Sequence, residues 1–173
     1  MYILVYTMFV LDLCRALETQ KIDYCLVGGL AVALHGAIRG TIDVDLVVAL
    51  DEKTLAQVET LLNRLGLESR LPLKSREVFQ FRKEYLSKRN LIAWSFIDST
   101  NPIRQVDLVL THAPRDLEPV TLKIHGQNVR VASIAKLIEM KQKAGRPQDL
   151  EDARVLRRLM GLRKAGSKRG QQK

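Results

Sequence analysis

The sequence predicts an α+β fold in one domain, and three observations carry that reading. The chain has 173 residues, within the roughly 100–200 typical of a single domain. Its 46% hydrophobic and 27% charged residues match a soluble globular chain, at about 45–50% and about 25%, which excludes a disordered or fibrous protein. Segments of helical and strand periodicity then succeed one another without a regular βαβ rhythm.

The opening segment, Met1 to Thr19, reads as a helix, with Met8, Leu11, Leu13, Ala16 and Leu17 apolar and Asp12, Arg15 and Glu18 between them. Its apolar run ends at Leu11, short of the roughly 18 residues of a membrane span. No basic region precedes it, so neither a signal peptide nor membrane association is expected. Tyr24 to Val27 is a buried strand that meets Gly28-Gly29. Leu30 to Leu34 is a short helix closed by Gly36, and Val44 to Leu50 a second strand. Asp51 caps a helix over Thr54 to Leu65, which Gly66 stops. Val78 to Phe81 and Leu91 to Ile97 both read as strands, with Lys83 to Asn90 as a charged connection. Gln105 to Leu110 is a further strand. Thr121 to Ile124 and Val129 to Val131 flank His125-Gly126-Gln127-Asn128, a hairpin signal. Ser133 caps a helix to Ala144, Gly145 and Pro147 break it, and Asp149 to Met160 forms the last helix. The domain is expected to span 1–160, with 161–173 a basic, flexible tail.

The two cysteines, Cys14 and Cys25, sit among apolar residues and read as reduced core thiols, which fits a cytoplasmic protein. Net charge is +9. From Arg154 to Lys173 there are eight basic residues and no acidic ones, which suits either a polyanion or a solvated tail.

The chemistry concentrates between Tyr24 and Val48. Strand side chains alternate faces, so Asp43 and Asp45 point the same way while Val44 and Leu46 face the core. Two adjacent carboxylates repel unless a cation lies between them, and an oxygen-only ligand set favours Mg²⁺ or Mn²⁺. Taken alone, the Asp-x-Asp pattern also fits a half-exposed strand. A strand ending in two glycines and feeding a helix presents free backbone N–H groups, a place for phosphate. A bound nucleoside triphosphate needs a divalent ion, so the glycine turn and the acids complement one another. Asp107, inside the apolar strand Arg104 to Leu110, is the candidate third carboxylate.

Gly28-Gly29, thirteen intervening residues and Asp43-Val44-Asp45-Leu46 resemble the signature of the DNA polymerase β-like nucleotidyltransferase superfamily. Ala31 to Gly36 and Arg39-Gly40-Thr41-Ile42-Asp43 look most like its small bacterial branch, the minimal nucleotidyltransferases and the abortive-infection (AbiEii-type) toxin enzymes. Leu137 to Lys141 and Ala144 to Asp152 are similar to that branch as well. The resemblance implies a nucleotidyltransferase fold with a mixed twisted sheet flanked by helices. It also implies metal-dependent transfer of a nucleoside monophosphate to a hydroxyl of a protein or an RNA such as tRNA, within a toxin–antitoxin or abortive-infection setting and with a cognate partner. Carried over, Gly28 and Gly29 hold the triphosphate, Asp43, Asp45 and Asp107 bind metal, and Asp107 helps to activate the attacking hydroxyl. Lys141 and Asp149 match a functional helix Lys and a later Asp, with Lys136 a rival for the former. The branch often has Ser where this chain has Gly29, so a hydroxyl to phosphate is missing.

Arg39 is a candidate phosphate contact or a surface residue, and Thr41 a tie within its loop. His35 reads as a helix-end histidine bonded to a carbonyl, Trp94 and Phe96 as core. The rival function is a catalytically inactive nucleotide-binding or antitoxin-like module of the same fold. Asp107 discriminates between them, because transfer requires it beside the Asp pair.

Overall fold

The computed structural model describes residues 2–89 and 91–170, with side chains placed for 6–89 and 91–162. Seven strands form one mixed sheet in the order β3-β4-β5-β2-β1-β7-β6. The first helix, α1 (Tyr2–Thr19), leads into β1 (Tyr24–Val27), every residue of which is buried. Then α2 (Gly28–Leu34) starts at the glycine pair itself, two residues ahead of the expected start. β2 (Asp43–Val48) pairs antiparallel with β1 on one side. On its other side it pairs parallel with β5 (Gln105–Val109).

Asp51 caps α3 (Glu52–Arg64) as expected, its carboxylate accepting from the Thr54 N–H at 2.8 Å. A two-residue edge strand, β3 (Glu68–Ser69), follows; it is too short to carry a periodic signal. The expected strand at Val78–Phe81 and the expected connection after it are instead one helix, α4 (Ser75–Lys88). Val-Phe-Gln-Phe imitates strand alternation, but Ser75 and Val78, three apart, are the residues that the fold buries. The helix start is fixed from outside the segment by the Glu59 carboxylate, which accepts from the Ser75 N–H at 2.9 Å, and from within by Glu77, which accepts from the Lys74 N–H. A tertiary hydrogen bond and a local cap thus override a weak strand pattern.

β4 (Ala93–Ile97) lies antiparallel between β3 and β5. A short 3₁₀ turn, Pro114–Leu117, precedes the hairpin of β6 (Val120–Ile124) and β7 (Gln127–Val131). The hairpin is tighter than expected, with only His125 (φ 46°) and Gly126 (φ 81°) in the turn. Two positive φ angles give the twist that joins antiparallel strands. Ser133 caps α5 (Ile134–Ala144) at 3.2 Å from the Lys136 N–H, and Gly145 ends it. The last helix, α6 (Pro147–Gly170), starts earlier than expected and runs ten residues past Met160. Pro147 suits a first helical position, and Leu162, Arg163, Lys164, Ala165, Lys168 and Arg169 in the continuation are good helix formers that outnumber its glycines. The expected loose tail is therefore helical up to Gly170, and 171–173 lie outside the described residues.

The core lies on the β2–β5–β4 face carrying Val44, Leu46, Val106, Leu108, Trp94 and Phe96, all at most 1% exposed. Trp94 and Phe96 are core, as read from sequence, with ring centroids 4.6 Å apart. Cys14 and Cys25 are buried free thiols. Among the described residues, no helix is long and apolar enough to cross a membrane.

Candidate active site

The opposite face of the same strands carries the acids. Asp43 and Asp45 are half-buried on β2, separated by fully buried Val44. β5 stands beside them in parallel register, so that Asp45 lies opposite Asp107 and Asp43 opposite Gln105. Hydrogen-bonded neighbours in a sheet are about 4.8 Å apart and point to one side. Three carboxylates and one amide therefore occupy the corners of a small rectangle. The Gln105 amide donates to both Asp107 oxygens, at 3.4 and 3.5 Å.

Burial, then the charges of Asp107 and Asp43, push the Asp45 carboxyl up to about 6, while Lys141 and Arg146 pull it partly back. A carboxylate so strained by its neighbours is suited to a cation. Among the described residues, no three His, Cys, Asp or Glu side chains are already closed into a metal cage. The acids share a face and a register, and an ion would have to draw them together.

β1 brings the glycine turn to the same place, since Val27 is the register partner of Asp45. Gly28 has φ +66°, and a Cβ built on it would stand 1.8 Å from Asp45 Oδ2. The close approach and the left-handed backbone each require glycine. A Cβ on Gly29 would meet Thr41 Oγ1 at 3.1 Å, so Thr41 packs the following loop against the start of α2. Gly28→Ala is expected to lose at least about 1–2 kcal/mol from the left-handed backbone alone, with further loss from displaced Asp45. Thermal melting and nucleotide titration of the variant measure the two effects.

Beyond the glycine turn lies a buried ionic cluster. Lys141, Asp149 and Asp152 are 7%, 1% and 3% exposed. Lys141 Nζ lies 2.8 Å from both Asp149 Oδ1 and Asp152 Oδ2. Arg146 Nε reaches Asp149 Oδ2 at 2.5 Å, and Gln148 donates to Asp152 at 3.2 Å. Burial draws the Asp149 carboxyl upward, but hydrogen bonds from Arg146 and Lys141 outweigh it and hold the group below its usual range. Arg39, on the 35–42 loop, has Nε 3.3 Å from Asp152 Oδ1 and donates to the Gly40 carbonyl. The cluster thereby ties α5, α6 and the loop between the glycines and the acids into one unit. Lys136, the rival lysine, pairs instead with Glu139 at 3.0 Å.

Sequence reasoning assigned no role to Asp152, which Lys141 contacts together with Asp149 from across the Gly145 break. It missed Tyr6 of α1 altogether. Burial first, then the nearby charges of Asp43 and Asp45, raise the Tyr6 hydroxyl above its usual range, which places it in the field of the acids. The available signal was a tyrosine within an otherwise apolar run. His35 Nε2 is 2.8 Å from the Ala132 carbonyl oxygen, in line with its structural reading.

The architecture and the acid-bearing strands define a nucleotidyltransferase-type fold, and solved structures share it. An antigenic nucleotidyltransferase-like protein from Paracoccidioides brasiliensis is 22% identical, with a TM-score of 0.57 over 91% of this chain and 76% of that one. The lincosamide antibiotic adenylyltransferase LnuA, solved with lincomycin bound, is 14% identical, with a TM-score of 0.61 over 89% and 96%. ANT(2")-Ia, solved in complex with adenylyl-2"-tobramycin, is 16% identical, with a TM-score of 0.58 over 94% and 98%. No protein-family model and no curated protein sequence matches the chain.

Proposed function

We propose that the chain is a metal-dependent nucleotidyltransferase that moves a nucleoside monophosphate from a nucleoside triphosphate to a hydroxyl. The observation that carries this is the contact between Gly28 and Asp45 with Asp107 in register beside it, which puts the phosphate turn and the acids at one point. Asp43, Asp45 and Asp107 would hold Mg²⁺ or Mn²⁺, and the raised Asp45 carboxyl and the glycine-only approach fit a cation and a phosphate there. Such an ion supplies charge stabilisation to the phosphoryl oxygens and the leaving group.

The remaining roles belong to the chain. The N–H groups at the Gly28-Gly29 start of α2 bind triphosphate oxygens. Asp107 takes the proton of the attacking hydroxyl, whose oxygen bonds to the α-phosphorus as the α–β bridge breaks and pyrophosphate leaves. Arg146, whose side chain is 76% exposed, offsets charge on the departing pyrophosphate. Arg39 and Thr41 hold the loop over the triphosphate, and Lys141 and Asp149 fix α5 and α6 behind it.

Protein and RNA (including tRNA) hydroxyls are the acceptors that the resemblance implies, in a cytoplasmic toxin–antitoxin or abortive-infection setting. The LnuA and ANT(2")-Ia structures, with lincomycin and an adenylylated tobramycin, support small molecules as a further class. The test is incubation with each of four α-labelled triphosphates, Mg²⁺, total RNA, cell protein and a small-molecule panel. Label is expected on one acceptor class and is expected to vanish in folded Asp43→Ala. A wild-type chain that binds nucleotide and labels nothing would be a binding module instead.

A further inference from the structure

The net charge is not spread over the molecule. Of the +9 total, residues 154–173 supply all but one unit, with eight basic residues and no acid. All of these cations but Lys173 lie on α6, and they favour one side of it. Asp149, Asp152, Ala153 and Leu156 are at most 3% exposed and define its inner side. Arg154, Arg157 and Arg158 are exposed. At about 3.6 residues per turn, these three arginines and the helix positions of Lys164, Lys168 and Arg169 fall within one arc of about 140°, opposite the inner side. Only Arg163 stands off that arc. The stripe runs for about 22 Å at ~1.5 Å per residue.

Helix stability does not explain the stripe. The helix dipole favours cations in the last turn, which covers Lys168 and Arg169 but not the three arginines before them. Like charges at i, i+4, as in Arg154 with Arg158 and Lys164 with Lys168, work against a helix. Arg154 is answered by Glu151 at 3.1 Å, whereas Arg157 and Arg158 make no hydrogen bond or ion pair among the described residues. The stripe also lacks an apolar anchor. Ala153 and Leu156 are spent on the core, and the exposed Leu150 and Leu162 stand about 18 Å apart along the axis. No continuous apolar face is left to enter a lipid surface or to form the dry centre of a protein interface. No aromatic residue occurs on α6, so single-stranded bases find nothing there to stack on. A row of cations without such anchors matches a row of fixed phosphates.

We propose that the solvent face of α6 binds the phosphate backbone of a nucleic-acid duplex without reading its sequence. The surface is independent of the transfer reading, since it uses neither the acids nor the glycine turn. The test titrates labelled RNA and DNA duplexes of about 20 base pairs with the full chain, followed by fluorescence anisotropy between about 50 and 200 mM salt. Oligouridine is titrated in the same way, and phosphatidylserine vesicles are tested by co-sedimentation.

Duplex binding is expected, and it is expected to weaken about a hundredfold over that salt range, as four or more phosphate contacts require. Arg157→Gln combined with Arg158→Gln is expected to weaken it at least about tenfold and to lower the salt slope by about 2. Arg76→Gln combined with Lys83→Gln removes the same charge from exposed positions on α4, and is expected to change binding less than about twofold. Equal losses in the two double variants would overturn the proposal, because net charge and not this face would then govern binding. Absence of duplex binding at the lowest salt would overturn it as well. So would tighter binding of oligouridine than of either duplex, or binding to vesicles without binding to duplexes.

Discussion

Asp45→Asn is expected to melt above the parent protein at pH 7.5, in the absence of metal, while losing nucleotidyl transfer. The Asp45 carboxyl is held at about 6, against an ordinary value of 3.8. Keeping it ionised in the folded state thus costs up to about 3 kcal/mol at neutral pH. For a domain of this size the gain in the variant corresponds to roughly 5–10 °C, less whatever hydrogen bonding the new amide fails to make. The folded state takes up the Asp45 proton before the unfolded chain does. The destabilisation is therefore complete above about pH 6 and is relieved as pH falls through 6 toward 4. Parent melting curves between pH 7.5 and 5 should show that relief, and Asp45→Asn should show much less of it. Mg²⁺ should raise the melting temperature of the parent and leave the variant unmoved. An Asp45→Asn protein that melts below the parent at pH 7.5 would mean that burial and the neighbouring acids do not disfavour the ionised carboxylate.

Lys141→Met is expected to be among the most destabilising changes of a single side chain. Lys141 bridges two carboxylates that are 1% and 3% exposed. Removing one partner of a buried ion pair costs about 3–5 kcal/mol, because the charges left behind are uncompensated. Arg146 on Asp149, with Gln148 and Arg39 on Asp152, keeps the expected loss toward the lower end. Adding Asp152→Asn should recover part of it, since one orphaned charge is then removed. Chemical denaturation of the single and double variants measures both. Full stability in Lys141→Met, with only transfer lost, would instead give the lysine a direct part in handling the nucleotide. Its paired geometry holds it between the two acids, and its charge also reaches Asp45.

Much of the site was legible because strand alternation is local. Asp43, Val44, Asp45 and Leu46 declare two faces in four residues, and Val106, Asp107 and Leu108 do the same. The glycine pair at a strand end was equally plain. Register was not legible: that Asp45 lies opposite Asp107 depends on β2 and β5 pairing across more than fifty intervening residues, which no local pattern encodes. In the ionic cluster the resemblance pointed to Lys141 and Asp149 but not to their pairing, because only the turn at Gly145 folds Asp149 and Asp152 back onto Lys141. At α4 the local pattern pointed the wrong way, and Glu59 of another helix decided the outcome.

The most direct test of the central claim is a crystal structure with Mn²⁺ and a non-hydrolysable nucleoside triphosphate. An anomalous peak is expected between Asp43, Asp45 and Asp107, with the triphosphate oxygens on the Gly28 and Gly29 N–H groups. Manganese bound away from those three acids, or a triphosphate lying off the glycine turn, would contradict it.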